Sequence, residues 1–243
     1  MSRRRMPLAV GWTLALVVIA LFCGLGTWQL GRAKQKEAML AASHRILAER
    51  KPVPLAQAGQ PGREAEYAWT AGHGRFLPGP AVLLDNQNHG GRAGIRAYRV
   101  FQAEDAPPVL VELGWLPLPG DRTLPAIALP QGEQALGGLL APPPSAGLVK
   151  AVGTRQSDGN LLVTALDLRT LARDLALPTL APRVFRPDPA LPLGYARDLD
   201  ILPNTLPPER HLGYAVQWFG LALAVLITAL VVSRRGRRRQ QER

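Results

Sequence analysis

Two apolar runs without formal charge lie near the two ends of the chain, at residues 6–31 and 211–233. A helix rises about 1.5 Å per residue, so roughly 20 residues cross a hydrocarbon core of about 30 Å. Backbone N–H and C=O groups inside lipid must be paired within the segment, which favours a helix for each run. We therefore predict an integral membrane protein with transmembrane helices at residues 8–27 and 212–232.

Between these runs, residues 28–211 change to short apolar stretches separated by glycine and proline. After a short amphipathic helix at residues 32–50, this pattern predicts a mainly antiparallel β (α+β) domain. Leucines at helical spacing predict one helix at residues 161–177, and residues 85–94 are predicted to form a glycine-rich connection. The predicted strands are residues 72–79, 81–84, 95–102, 109–115, 134–140 and 183–185.

Most of the net charge of +11 belongs to nine arginines in the two terminal segments, residues 1–7 and 233–243. Basic residues that flank a membrane helix favour the cytoplasmic side, so both termini are predicted to be cytoplasmic. The domain is then periplasmic, and a nucleic-acid partner is not expected. Only five residues precede the first run, too few for a transit peptide, which indicates a bacterial inner membrane. A cleaved signal peptide is the competing interpretation, but the run is long and no Ala-x-Ala site follows it.

A group of polar and aromatic residues opens the second apolar run. His211, Tyr214 and Trp218 have the spacing i, i+3 and i+7, so they share one helical face. A neutral imidazole at this position is able to ligate haem iron, while the two aromatic rings lie against the flat macrocycle. Tyr and Trp are also enriched at membrane interfaces in general, so an interfacial belt without a ligand is the alternative interpretation.

The sequence also predicts how the two transmembrane helices contact each other. The primary amide of Gln217 lies about one turn inside the lipid and needs a polar partner there. Trp28 and Gln29 end the first run at a similar depth, so we predict a Gln29–Gln217 contact that sets the helix register. Small residues at i, i+4 spacing predict a close approach of the helices. They are Ala20 and Gly24 in the first run, and Gly220, Ala224 and Thr228 in the second.

No catalytic motif is present in the sequence. It contains no nucleophile elbow, no phosphate-binding P-loop and no paired-histidine zinc helix. The four histidines are not spaced as ligands of one metal ion, and the single cysteine, Cys23, cannot form a disulfide within the chain. We therefore expect a protein that is not an enzyme.

Several motifs occur together in a fixed order. Residues 26–30 read Gly-Thr-Trp-Gln-Leu and are followed by Arg32 and Lys36, and residues 208–220 read Pro-Glu-Arg-His-Leu-Gly-Tyr-Ala-Val-Gln-Trp-Phe-Gly. Three blocks lie between them, at residues 74–76, 84–86 and 109–117. Over nearly the whole chain, these motifs resemble those of the surfeit locus protein one family.

This resemblance implies an assembly factor for haem–copper terminal oxidases, above all cytochrome c oxidase, with two transmembrane helices around a periplasmic domain. For a bacterial member it implies transient binding of haem a, with His211 as the iron ligand, and transfer of the haem to the large subunit. The implied partners are that subunit, haem A synthase and membrane lipid. Leu113 stands where the family usually has an arginine, so a charged contact is not expected at this position. A haem-free scaffold that stabilises an oxidase assembly intermediate is the alternative.

Overall fold

The computed structural model describes residues 8–144, 152–200 and 206–241. The chain forms two compact units. One, the helix pair, is built from the two ends of the chain, and the other, the domain, is residues Ala41–Asn204. The helices are α1 (Leu8–Glu49), α2 (Leu168–Asp174) and α3 (Pro208–Gln241). The strands are β1 (Val53–Pro54), β2 (Ala68–Phe76), β3 (Val82–His89), β4 (Arg92–Ala103), β5 (Val109–Pro117), β6 (Glu133–Ala141), β7 (Gly153–Arg155), β8 (Leu161–Val163) and β9 (Val184–Pro187), and a 3₁₀ turn covers Leu55–Gly59.

Two helices are long and apolar enough to cross a membrane, over Ala9–Glu49 and Pro208–Gly236. They confirm the two predicted transmembrane helices on either side of a β-rich domain. Residues 32–49 are helical, as predicted, but they are the continuation of α1 rather than a short helix of their own, because α1 runs without a break to Glu49. Residues 32–49 contain only strong or moderate helix formers and neither glycine nor proline, so nothing in this stretch ends the helix.

Helix α3 begins earlier than the predicted span, at Pro208. Proline suits the first turn of a helix, because its missing N–H would have no partner there and its φ is already helical. Glu209 in the same turn adds a negative charge where the helix dipole favours one. The polar-aromatic group that begins with His211 therefore lies inside the first turns of a formed helix.

The sheet of the domain closes on itself. β2 pairs with β6, β6 with β9, β9 with β5, β5 with β4, and β4 pairs back to β2. β3 pairs with another stretch of β4 and carries β8 and β7 as a branch, while β1 adds to β2. The pairing is mainly antiparallel, as predicted, with parallel pairs at β1–β2, β3–β8 and β5–β9.

The interior of this small barrel is filled by apolar side chains from all five of its strands. Phe76 and Phe101 meet edge to face, with ring centroids 5.2 Å apart. Leu113 is part of this core and is 1% exposed. A second apolar cluster covers the outer face of β3, β4 and β8, where Leu168 and Leu171 of α2 pack against the sheet.

The predicted connection at residues 85–94 is instead the end of a hairpin. β3 continues to His89 and β4 begins at Arg92, so only Gly90 and Gly91 form the turn. Their φ angles are +58° and +78°, which is the conformation of a two-residue hairpin turn and favours glycine. Residues 85–89 are polar and lack the alternation of apolar and polar positions that indicates a strand, so the sequence pattern did not reveal this part of β3.

The predicted helix at residues 161–177 is only partly present. Leu161–Val163 pairs with β3 as β8, and α2 begins after Asp167. The side chain of Asp167 accepts hydrogen bonds from the backbone N–H groups of Arg169 and Thr170 and caps the helix. The hydroxyl of Thr170 also donates to the Asp167 carboxylate (2.9 Å), and this hydrogen bond, together with the two from the backbone, holds the pKa of Asp167 below its ordinary value. The apolar run was therefore divided by a cap that the leucine spacing did not reveal.

Candidate functional site at the helix pair

α1 and α3 meet along a seam of buried residues that recur in steps of three, four or seven. The buried positions of the helix pair are Gly26, Ala33 and Lys36 on α1, and Pro208, His211, Ala215 and Ala222 on α3. This spacing is the one that keeps two helices in contact in a left-handed coiled coil, which is also the common geometry of membrane helix bundles. We call the end near Gln29 and His211 the domain end, and the end near Trp12 and Ser233 the tail end.

A hydrogen bond joins the two helices at the domain end. Nδ1 of His211 lies 2.7 Å from Oε1 of Gln29. Because an amide oxygen only accepts hydrogen bonds, Nδ1 carries the proton and donates it to Gln29. In a neutral imidazole, Nε2 then keeps its lone pair. The bond fixes both the ring orientation and the tautomer, as a carbonyl or carboxylate does for a metal-bound histidine. His211 is 8% exposed, so its ring is held almost entirely within the seam.

Two cationic side chains of α1 lie close to this hydrogen bond in the sequence. Arg32 and Lys36 follow Gln29 by three and seven residues, which places them on nearly the same side of the helix. Lys36 is buried on the seam, while Arg32 is exposed and donates a hydrogen bond to Gln35 (2.9 Å). The domain end of the pair therefore carries positive charge next to a buried imidazole.

Aromatic rings fill the seam in the turns after His211. Trp218 packs against Phe22 of α1 with ring centroids 5.5 Å apart. Phe219 lies so close to Gly26 that a Cβ atom added there would be 2.7 Å from the ring. A glycine at position 26 therefore makes room for Phe219, and the close approach of the helices depends on it.

The structure separates the residues that were predicted to form one site. His211 and Trp218 lie on the seam, but Tyr214 turns to the side and is 40% exposed. Trp28 is 58% exposed on the surface of α1. Whether these side chains contact a ligand stays a prediction, and the arrangement leaves Trp218 committed to helix packing on Phe22.

The predicted Gln29–Gln217 contact is wrong, because Gln29 pairs with His211. Six residues along an α-helix turn the side chain by about 240° from His211, and Gln217 is exposed. The small-residue ridges do not form the close helix contact that was predicted, because their members are all exposed; Ala224 and Thr228 instead line an open space between α1 and α3. Steps of four drift around the helix by about 40° each, whereas the seam alternates steps of three and four. The ridge residues are Ala20, Gly24, Gly220, Ala224 and Thr228.

A buried group of charged side chains in the domain was missed by the sequence analysis. Glu112 lies between Arg96, with which it forms an ion pair, and Arg186, 3.2 Å from its carboxylate. Asp198 completes the group at 3.2 Å from Arg96 and 3.1 Å from Arg186. Burial alone would raise the pKa of Asp198, but the two guanidinium groups hold it below its ordinary value. Charged residues inside the apolar stretches of β4 and β5 were the available signal.

Trp115 and His89 lie at the rim of this charged group. The imidazole of His89 is 3.1 Å from Asp198 and lies over the ring of Trp115, with centroids 5.2 Å apart. The indole N–H of Trp115 donates to the carbonyl of Gln87 (3.0 Å). Among the described residues, no group of three or more His, Cys, Asp or Glu side chains is placed to hold a metal ion.

The comparisons with known proteins agree with the motifs of the sequence. The sequence profile of the SURF1 family, the surfeit locus protein one family named above, matches residues 16–223. The chain is also similar to the cytochrome oxidase assembly protein SHY1 of Saccharomyces cerevisiae, with 29% identity over 144 residues. That alignment covers 56% of this chain and 36% of SHY1, so the chain matches about a third of the length of this relative.

Proposed function

Because this chain belongs to the SURF1 family, we propose that it is an assembly factor for cytochrome c oxidase, and that it binds haem a transiently and aids its insertion into the large subunit. The family match spans the seam residues from Phe22 to Ala222 and the whole domain. The similarity to a protein named for cytochrome oxidase assembly supports the same role. The proposed role is not enzymatic. Its site is the inner membrane of a bacterium, with cytoplasmic termini, a periplasmic domain, and the large subunit and haem A synthase as partners.

The hydrogen bond between His211 and Gln29 carries the haem part of the proposal. Haem iron is commonly bound by a neutral imidazole nitrogen, and Nδ1 donation to Gln29 leaves Nε2 as that nitrogen. Haem a also bears two propionate carboxylates. The positive charge of Arg32 and Lys36 at the same end of α1 suits these carboxylates. The donor set of the domain end therefore fits haem a.

The burial of His211 determines what binding requires. At 8% exposure, the imidazole reaches an iron atom only when the domain end of the seam opens or the ring rotates outward. Either movement breaks packing contacts around Phe22 and Trp218. The free energy gained from haem binding is therefore partly offset by the loss of these helix contacts. This balance favours a site that holds its cargo briefly, and Tyr214, already exposed beside the seam, offers an aromatic surface to the ring.

The test is the optical spectrum of the full-length protein, purified in detergent from cells that also produce haem A synthase. We expect a Soret band that is lost in His211→Ala and weakened in Gln29→Leu, because the latter removes the acceptor that orients the ring. His44, an exposed histidine later on α1, provides the matched control His44→Ala. Equal haem content in the parent and in His211→Ala would show that His211 is not the ligand.

A haem-free scaffold is the second candidate. The helix pair exposes large apolar side chains, among them Trp28 (58% exposed), Tyr214 (40%) and Val216 (71%). Exposed apolar side chains of this kind suit contact with a helix of an oxidase subunit. This role predicts that the protein purifies without a Soret band and still co-purifies with the large subunit. It also predicts that Trp28→Ala weakens this co-purification while His211→Ala does not.

A further inference from the structure

A cavity of about 500 Å³ lies between α1 and α3 at the tail end of the helix pair. Its walls include Gly11 and Ala15 of α1, which face Leu221, Ala224 and Val225 of α3. The space exists because small residues from the two helices oppose each other, and no side chain among the described residues fills it. The volume is within the range of about 300–1,000 Å³ that is usual for small-molecule sites.

The polar groups near this cavity are already paired. Nε1 of Trp12 donates to Oγ of Ser233 (2.9 Å), and Ser233 donates to the carbonyl of Ala229 (2.8 Å). Thr228 donates to the carbonyl of Ala224 (2.8 Å). What remains for an occupant is therefore apolar contact.

The length of the cavity indicates the kind of occupant. Its lining on α3 runs from Leu221 to Ser233, which is about 18 Å at 1.5 Å per residue. This is close to the thickness of one leaflet of a hydrocarbon core of about 30 Å. A lipid acyl chain extends through one leaflet, whereas a further transmembrane helix would follow the pair through both.

Arginines follow Ser233, the last residue of α3 that lines the cavity. Arg234 and Arg235 follow Ser233 on α3 and are exposed. The sequence adds three arginines at residues 237–239 and three more at residues 3–5, before α1. Arginine binds phosphate oxygens through pairs of N–H groups, and basic sites beside transmembrane helices favour anionic lipid headgroups.

We propose that the tail end of the helix pair is a binding site for one anionic phospholipid. One acyl chain fills the cavity between Ala15 and Ala224, and the phosphate is bound by Arg234 and Arg235. The site is at the opposite end of the seam from His211, so it is independent of haem binding. The lipid fills the space that the two helices leave open and fixes their separation at this end.

The test is native mass spectrometry of the full-length protein after equal exposure to phosphatidylglycerol and phosphatidylcholine in mixed micelles. We expect the parent to retain one phosphatidylglycerol with a preference of roughly tenfold or more over phosphatidylcholine, because two arginines act on its phosphate. Equal retention of the two lipids would overturn the proposal. In a separate sample, oleate is supplied instead of phosphatidylglycerol. Retention of oleate to the same extent as phosphatidylglycerol would also overturn the proposal.

Two variants test the cavity. Ala224→Leu and Ala15→Leu fill it from opposite helices and are expected to abolish lipid retention. Gly220→Leu is the matched control, because a Cβ atom added there meets nothing within 4 Å and Gly220 does not line the cavity. Circular dichroism checks that each variant keeps its helices. If both filled variants retain lipid as the parent does, the proposal is overturned. It is also overturned if the parent binds an equal amount of a second copy or of another protein, and if the Ala224→Leu variant no longer binds that protein.

A charge variant tests the headgroup contact. The double variant Arg234→Gln, Arg235→Gln is expected to lose the preference for phosphatidylglycerol while still retaining lipid in the cavity. Lys34→Gln, Arg45→Gln removes the same charge from exposed positions of α1 beyond the domain end and is expected to keep the preference. An unchanged preference in the arginine variant would assign the selectivity to another part of the protein and overturn the proposed phosphate contact.

Discussion

The helix pair and the domain bury their polar groups in different ways. On the seam, the contact between His211 and Gln29 pairs two groups without formal charge, and the buried cation Lys36 lies about two turns later on α1. In the domain, Glu112 lies buried between two arginines. Lipid cannot solvate an ion, so charged side chains inside a membrane are costly, whereas the ions of the domain reach water through the partly exposed Asp198. We therefore expect that removing one member of the His211–Gln29 pair weakens helix association only modestly. Removing one member of the buried ion group should lower the free energy of unfolding of the domain much more.

The largest expected effect is in the domain. Glu112→Gln removes the carboxylate between Arg96 and Arg186, which leaves two buried guanidinium groups with only Asp198. Breaking a buried ion pair on one side costs about 3–5 kcal/mol, and we expect a loss of that size in the free energy of unfolding, measured with denaturant on the full chain in detergent. Glu133→Gln, at an exposed position, should change it by less than about 0.5 kcal/mol.

The next effect is in the packing of the seam. Gly26→Leu forces a side chain into the ring of Phe219, and overpacking of this kind costs about 1–3 kcal/mol. We expect a lower thermal unfolding temperature in detergent and weaker cysteine cross-linking between α1 and α3. Gly24→Leu has open space around its Cβ and should behave like the parent. A matching loss in both variants would contradict the assigned seam.

A smaller effect is expected from the hydrogen bond of the seam. Gln29→Leu leaves Nδ1 of His211 without its acceptor, and polar contacts between membrane helices are worth about 0.6–2 kcal/mol. Cross-linking between the helices should therefore fall in Gln29→Leu. Gln217→Leu changes an exposed amide and should leave cross-linking unchanged. If cross-linking fell in Gln217→Leu and stayed unchanged in Gln29→Leu, the hydrogen bond between His211 and Gln29 would be contradicted.

The smallest effect is a pH dependence confined to the domain. The two arginines lower the pKa of Asp198 in the folded state, so the carboxylate stabilises the fold above its ordinary pKa of about 3.9. That contribution is lost as the pH falls through the lowered folded value, and partial exposure limits it to about 1 kcal/mol or less. Unfolding of Asp198→Asn, followed from pH 7 to pH 3, should show a weaker loss than the parent. A parallel loss in both proteins would place the acid sensitivity elsewhere.

The sequence predicted the elements whose pattern is set by one dominant force. The uncharged runs are governed by the thickness of the membrane, and β5 and β6 by burial, and all of them are present. Sequence reasoning failed where two forces compete. Asn88 and His89 suggested a loop, but pairing with β4 keeps them in β3. Leucines in residues 161–177 suggested a single helix, but Leu161–Val163 gains a partner strand.

The sequence predicted the individual residues of the candidate site but not their pairing, because the pairing depends on the contact between two helices. His211 was selected by its setting, and Gln29 by its need for a polar partner, yet the pair formed between them was not foreseen. Matching by depth alone assigned Gln29 to Gln217. The steps of three and four that place Gly26, Ala33 and Lys36 on the seam follow from contact between two helices, and neither run alone shows which of its faces is used.

The closed pairing of β2 to β4 has a consequence for solubility. Closure leaves the outermost strands of the described sheet as β1, two residues long with a proline, and β7, three exposed residues long. Short or proline-bearing borders offer few free backbone groups on which another chain can add a strand. Copies of the domain are thereby protected from joining edge to edge.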